Sequence, residues 1–156
     1  MNMEVAENAI KHVVTRASTM LATAGIHVGF WPKAVRCALF LKNHSPHCSI
    51  SKTPYEAYHN KVPKLSHIRI FSSLCYAHLE KDNRQKLDSH TIECGFMGYY
   101  ATKNLFAMFY VNKRVMLKKR DMVFFEYNLG HPTMTQYGLA SECNLLVFPI
   151  DDIFNK

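Results

Sequence analysis

At 156 residues the chain has room for one domain or two very small ones, and enough length to bury a sizeable core. Nineteen Lys and Arg against twelve Asp and Glu leave a formal charge of +7; that favours acidic partners such as nucleic acid, though an incidentally basic surface accounts for it as well. Five scattered cysteines without a C-x-x-C pair exclude a disulfide framework and fit a reducing, intracellular compartment, while the lack of a secretory or bilayer-length apolar run argues against a membrane partner.

From Glu4 to Ala24, Ala6, Ile10, Val13, Ala17, Met20, Leu21 and Ala24 recur at three- and four-residue steps, which predicts an amphipathic helix. Glu7 and Lys11 form an i,i+4 pair on another face, and Gly25 is placed to end the helix. Phe30-Trp31-Pro32 opens a second helix with proline in its first turn; Ala34, Val35, Ala38, Leu39 and Leu41 supply its apolar face, and Asn43 to Pro46 ends it. Thr53-Pro54-Tyr55-Glu56 reads as a capping box that starts a short helix running to about Asn60. Three runs rich in aromatic and β-branched residues follow: Ile68 to His78, Ile92 to Tyr100, and Leu105 to Phe125. The last is expected to hold two strands joined at Asn112-Lys113. Short strands with polar turns between them suggest a small barrel or sandwich, so the expected class is α+β, helices first and antiparallel sheet second. Beyond Glu126 the pattern weakens, and the apolar run Leu145 to Ile150 is either a late strand or a sticky piece of linker.

The chemistry-bearing residues are mostly cations. Lys61, Lys64 and Arg69 lead into the first strand; Lys81, Arg84 and Lys86 lie in the turn before the second; Lys113 and Arg114, then Lys118, Lys119 and Arg120, flank a predicted strand. Alternate strand residues share a face, so Lys118 and Arg120 are expected to point the same way. If these groups converge they form a patch that follows nucleic-acid phosphates; if they do not, they solvate the barrel and guard its edges. Tyr99, Tyr100, Phe106, Phe109 and Tyr110 could stack on bases, although aromatics at strand spacing also build cores. His44, His47 and Cys48 cluster in a loop, but no second pair lies at finger spacing, so no metal site is expected.

The residues Val5-Ala6-Glu7, Met20-Leu21, Phe30-Trp31-Pro32-Lys33-Ala34-Val35, Thr53-Pro54-Tyr55-Glu56, Leu65 to Phe71, Arg84 to Asp88, Cys94 to Tyr99, and Arg120 to Glu126 carry a further signal. In this order and spacing the chain resembles the integrase region of copia-type retrotransposon Pol polyproteins. The resemblance runs from near residue 3 to Glu126. It implies a truncated fragment in four parts: residues 1–60, the last helices of an RNase H-like catalytic core; 61–66, a linker; 67–127, an SH3-like antiparallel β-barrel; and 128–156, a tail. Three departures stand out. Met3 and Glu4 replace the family's Asn-Gly, Asn8 replaces an arginine, and Ser72 replaces a glycine at a strand bend.

The resemblance also implies a nuclear setting and a role for Glu7. Integrases of this family hold two Mg²⁺ ions with two Asp and one Glu, and Glu7 stands where that glutamate would be. Only six residues precede Glu7 and none is an aspartate, so one carboxylate is left where the chemistry needs three. The expectation is a non-catalytic chain with no cofactor, Mg²⁺ belonging only to an intact integrase, and a module that binds DNA without sequence preference. The alternative is a structural or protein-contact barrel with no nucleic-acid binding of its own. In either case the apolar face of the first helix, lacking the catalytic core's sheet, is expected to stay exposed and to drive self-association.

Overall fold

A computed structural model describes residues 3–47, 49–78, 91–100 and 105–129. The elements are α1 (Met3–Ala24), a 3₁₀ turn (Val28–Phe30), α2 (Trp31–His44), α3 (Pro54–His59), β1 (Ser73–His78), β2 (Thr91–Tyr99), β3 (Phe106–Tyr110), β4 (Val115–Lys119) and β5 (Met122–Leu129). Local chemistry sets the helix ends. Gly25 takes φ +62° after α1, and Pro32 occupies the first turn of α2. At α3 the Thr53 hydroxyl accepts the Glu56 N–H at 3.0 Å, and Asn60 closes the helix in the left-handed region.

The aromatic-rich stretch from Leu105 onward holds three strands, not the two expected, because Arg120 and Asp121 break it a second time. The first run is also shorter than expected: residues 68–70 are irregular, 71–72 form a turn and the strand begins at Ser73. At that bend Ser72 adopts φ +63°, fully buried, with its N–H donated to the Phe96 carbonyl at 2.8 Å. A left-handed backbone is what glycine tolerates best, which gives the resembled family's glycine at this position a physical reason.

All strand pairs are antiparallel, in the order β4-β3-β2-β1-β5. Connectivity then forces curvature. Lys119 ends β4 and Met122 begins β5, three residues apart, so their Cα atoms lie within ~11 Å. In a flat sheet the two outer strands would be ~19 Å apart. The sheet must roll, and the rings agree: Phe124 of β5 meets Phe96 of β2 and Phe106 of β3 edge-on, at centroid distances of 5.7 and 5.2 Å. Chain order and rolling together describe an SH3-like barrel preceded by helices, the expected α+β class.

Two clusters divide the core. Inside the barrel lie Cys75, Ala77, Ile92, Cys94, Phe96, Phe106 and Met108. On the outer face of β2 and β3, Met97, Ala107 and Phe109 pack against α1 and α2 through Val13, Ala17, Leu21, Ala34, Cys37 and Ala38. The apolar face of α1 is thus half covered: Val13, Ala17, Leu21 and Ala24 are buried, whereas Ile10 remains 64% exposed and Val5 66%. The stripe, expected to stay substantially exposed with α2 covering part of it, is exposed over its first half, and α2 closes over the second. Cys37, Cys75 and Cys94 are free and buried, and burial pushes the Cys37 and Cys94 thiols up to about 12.

An aromatic run ties the helices to the barrel. The Tyr99 ring stacks on Phe40 at 4.1 Å, Phe40 on His44 at 4.0 Å, and His44 on Tyr55 at 4.8 Å, joining β2, α2 and α3. His67 stands edge-on to Phe40 and Tyr99. Burial first, then the positive character of His44 and Arg69, holds the His67 imidazole below its ordinary value. Its folded value is lower than its unfolded one, so the unfolded chain takes up the proton first. Stability is therefore fully present above the unfolded value near ~6.5 and is lost as pH falls below it. Thermal melts from pH 7.5 down to 5.5 should show Tm falling in the parent chain and falling less in His67→Gln; equal falls would remove His67 as the cause.

Candidate nucleic-acid interface

The strand register decides which cations can act together. On β4, Lys118 pairs with Ala107 and Lys119 with Phe106. Ala107 belongs to the helix-facing cluster and Phe106 to the barrel interior, so Lys118 and Lys119 stand on opposite faces of β4. Arg120 lies beyond the strand end and is exposed. The expected shared direction of Lys118 and Arg120 rests on strand alternation that stops at Lys119. Lys113 and Arg114 are exposed in the β3–β4 loop, where Arg114 takes φ +54° and donates its N–H to the Val111 carbonyl. Lys61 and Lys64 are exposed in the irregular stretch after α3. Lys81, Arg84 and Lys86 lie outside the described residues.

Arg69 is engaged structurally. Its guanidinium donates to the Ser66 and Ile68 carbonyls at 3.0 and 2.8 Å, approaches Glu126 at 3.8 Å, and sits 5.3 Å from the Phe124 ring centroid. The Tyr99 hydroxyl accepts the Arg69 N–H at 2.8 Å and donates to the Arg69 carbonyl at 2.9 Å. Such a clip fixes the path of residues 66–69 against β2 and β5.

Sequence reading missed Lys33. It lies on α2 beside Ala34, Cys37 and Ala38, and only 4% of its surface is exposed. Burial, then the charges of Arg36 and Lys118, pulls its ammonium down to about 8. The available signal was a lysine on the apolar face of a helix, at positions i, i+1, i+4 and i+5 with three small residues.

The aromatic candidates sort into core. Phe106 and Phe109 are buried, Tyr100 is 9% exposed, and Tyr99 is held in the ring stack; Tyr110 is half-buried. His44 is stacked between Phe40 and Tyr55 and bonds the Phe40 carbonyl through Nδ1 at 2.8 Å, while Cys48 lies outside the described residues. Glu7 is exposed on α1, and among the described residues no group of three His, Cys, Asp or Glu could hold a metal ion. The expected Glu7–Lys11 pair is not among the ion pairs of the described residues; both side chains are exposed, where such a pair gains little over water. No helix of the described residues is long and apolar enough to cross a membrane.

A groove of about 630 Å³ opens between α1, α2, residues 68–71 and β5; Met20, Leu41, Ile68 and Leu129 are among the residues that line it. Beside it, alternate residues of β5 leave an apolar row uncovered: Val123 60%, Phe125 46%, Tyr127 102% and Leu129 37% exposed.

Residues 73–136 match the family described as retroviral polymerase SH3-like domain. The chain is 32% identical over 123 residues to the "Retrovirus-related Pol polyprotein from transposon TNT 1-94" of Nicotiana tabacum, covering 78% of this chain and 9% of that one. It is 26% identical over 148 residues to the polyprotein from transposon RE2 of Arabidopsis thaliana, 90% of this chain and 10% of that one. Against the polyprotein from transposon RE1 of the same plant it is 27% identical over 147 residues, 89% and 10%. The chain thus spans about a tenth of the length of the curated relatives it matches. No solved structure matches it.

The Arg69 geometry generates a test. Arg69→Gln should cost roughly 1–2 kcal/mol in urea unfolding, since two carbonyls lose a charged donor. It should leave the salt dependence of any DNA binding unchanged; a flatter salt slope would show that Arg69 reaches phosphate after all.

Proposed function

The chain belongs to the copia-type retrotransposon Pol polyproteins and carries their SH3-like domain, and on that premise we propose that it is the non-catalytic part of an integrase region that binds nucleic acid without sequence preference. The SH3-like segment is not a catalytic domain by itself. The observation that carries the binding reading is the run of exposed cations along β4, with Lys113 and Arg114 in the loop before the strand and Lys118 and Arg120 at and beyond its far end, in a chain of net charge +7. Cations on an exposed hairpin follow a phosphate backbone by charge alone and carry no base readout. Residues 1–60 would then be the closing helices of the RNase H-like core and 67–127 the barrel that follows it.

Catalysis is not proposed for this chain. Two-metal phosphoryl transfer needs several carboxylates around both ions, and Glu7, exposed on α1, supplies one of them. Mg²⁺ would enter only with the remaining carboxylates of an intact integrase.

A second reading rests on the apolar row of β5 and the uncovered first half of α1. Surfaces of that kind suit contact with the rest of a polyprotein or with a second copy of this chain. In that reading the basic charge only keeps the barrel hydrated.

Fluorescence anisotropy with a random-sequence DNA duplex separates the two. Binding should appear at low salt, log affinity should fall linearly with log salt, and Lys113→Ala with Arg114→Ala should flatten the slope by up to roughly two units. No binding at low salt, together with self-association in light scattering, would instead favour the contact module. Incubation of plasmid DNA with Mg²⁺ or Mn²⁺ should leave it intact; a nick abolished by Glu7→Gln would restore the enzyme.

A further inference from the structure

Three cations from two distant parts of the chain, α2 and β4, come together where α2 crosses the barrel. Register explains how. Lys118 of β4, Ala107 of β3 and Gly98 of β2 form one row across the sheet. Ala107 and Gly98 are small, and a Cβ at Gly98 would sit 4.0 Å from the Cβ of Cys37, so α2 lies close over this row. Lys33 is one helical turn before Cys37, and Arg36 is next to it. Lys118 rises at the end of the row on the same face, with its Nζ 4.6 Å from the Tyr100 ring centroid. A small cleft lined by Lys33, Arg36 and Tyr100 marks the junction; at about 10 Å³ it admits no more than a water, so an anion would lie across its mouth.

We propose that Lys33, Arg36 and Lys118 form a phosphate-binding site for a nucleic-acid backbone, seated where α2 meets the β3–β4 hairpin. The inference rests on the nucleic-acid reading above and places its anchor in a site that neither the helices nor the barrel could form alone. Arg36 is half-buried and Lys118 exposed, so both can reach phosphate oxygens, Arg36 through its planar fork. Lys33 is buried beneath them and acts by its field. Its lowered ammonium value agrees: burial lowers it most, Arg36 and Lys118 lower it further, and a phosphate between the three would relieve that repulsion. Tyr100 gives Lys118 a ring face to rest on, which restricts the lysine to this side of the sheet. A free phosphate or a DNA phosphodiester offers the same chemistry, but only the polymer also spans the distance to Lys113 and Arg114.

The test compares variants by anisotropy with the same random duplex across a salt series, with inorganic phosphate as competitor. Arg36→Gln with Lys118→Gln should weaken binding about ten-fold or more at low salt and flatten the log–log slope by roughly two units. Lys33→Met should weaken it further while keeping the fold, since methionine fills the same volume without a buried charge; circular dichroism checks this. Lys61→Gln with Lys64→Gln, on the exposed linker, serves as the comparison and should change the slope less. An unchanged slope in Arg36→Gln with Lys118→Gln, while the parent binds and Lys113→Ala with Arg114→Ala weakens it, overturns this site and leaves the general reading standing. Failure of the parent to bind the duplex overturns both. Displacement of DNA by millimolar phosphate in the parent, lost in the double variant, supports the site. Equal displacement in both variants places the anion elsewhere and overturns it.

Discussion

Tyr99 fixes the relation between the two halves of this chain. Its hydroxyl satisfies both backbone groups of Arg69, and its ring stacks on Phe40 of α2. A phenol in that position does what an added strand residue would do, closing donor and acceptor of a segment that has no ladder partner there. Burial pushes the phenol above its ordinary value, so it stays protonated and keeps its donor. Without the ring, residues 66–71 would lose their hold on the sheet, and α2 would lose the first plate of a stack that runs through His44 to Tyr55.

Close approach depends on small residues as much as on rings. Ala34, Cys37 and Ala38 on α2 face Met97, Gly98 and Ala107 on the sheet. The bulge in β2 makes this possible: Phe96 pairs with Met108 and Gly98 with Ala107, leaving Met97 as the extra residue. Gly98 takes φ +134°, a conformation that side chains rarely adopt. Phe96 then fills the barrel while Met97 fills the helix interface. One irregular residue pair therefore serves both cores.

Local signals in the sequence located most elements. Thr53 with Glu56, Pro32 and Gly25 each act within one turn of chain, so their chemistry is readable without the fold. The aromatic runs gave β1 and β2 their places for the same reason. Register and pairing were not readable, because they depend on residues far apart. Arg120-Asp121 ends a strand only once the sheet rolls, and which face of the sheet Lys118 takes is settled only once β4 docks on β3. Of the candidate cations, Lys61, Lys64, Lys113, Arg114, Lys118 and Arg120 are exposed, and Arg69 is held by Glu126 and two carbonyls. Lys33 was passed over because helical periodicity ranks residues by hydropathy, and a buried lysine breaks that ranking.

Everything proposed for the site requires the helices and barrel to fold as one unit. Hydrogen exchange on the intact chain tests this directly, followed in peptides from α2 and from β2–β3, in the parent and in Phe40→Ala. If the shared core holds them together, the two regions should open with similar free energies in the parent, and Phe40→Ala should lower both together, by about 2–4 kcal/mol. Near-complete exchange of α2 while β2 and β3 stay protected and indifferent to Phe40→Ala would show two independent parts, and with them the Lys33–Arg36–Lys118 site would fall.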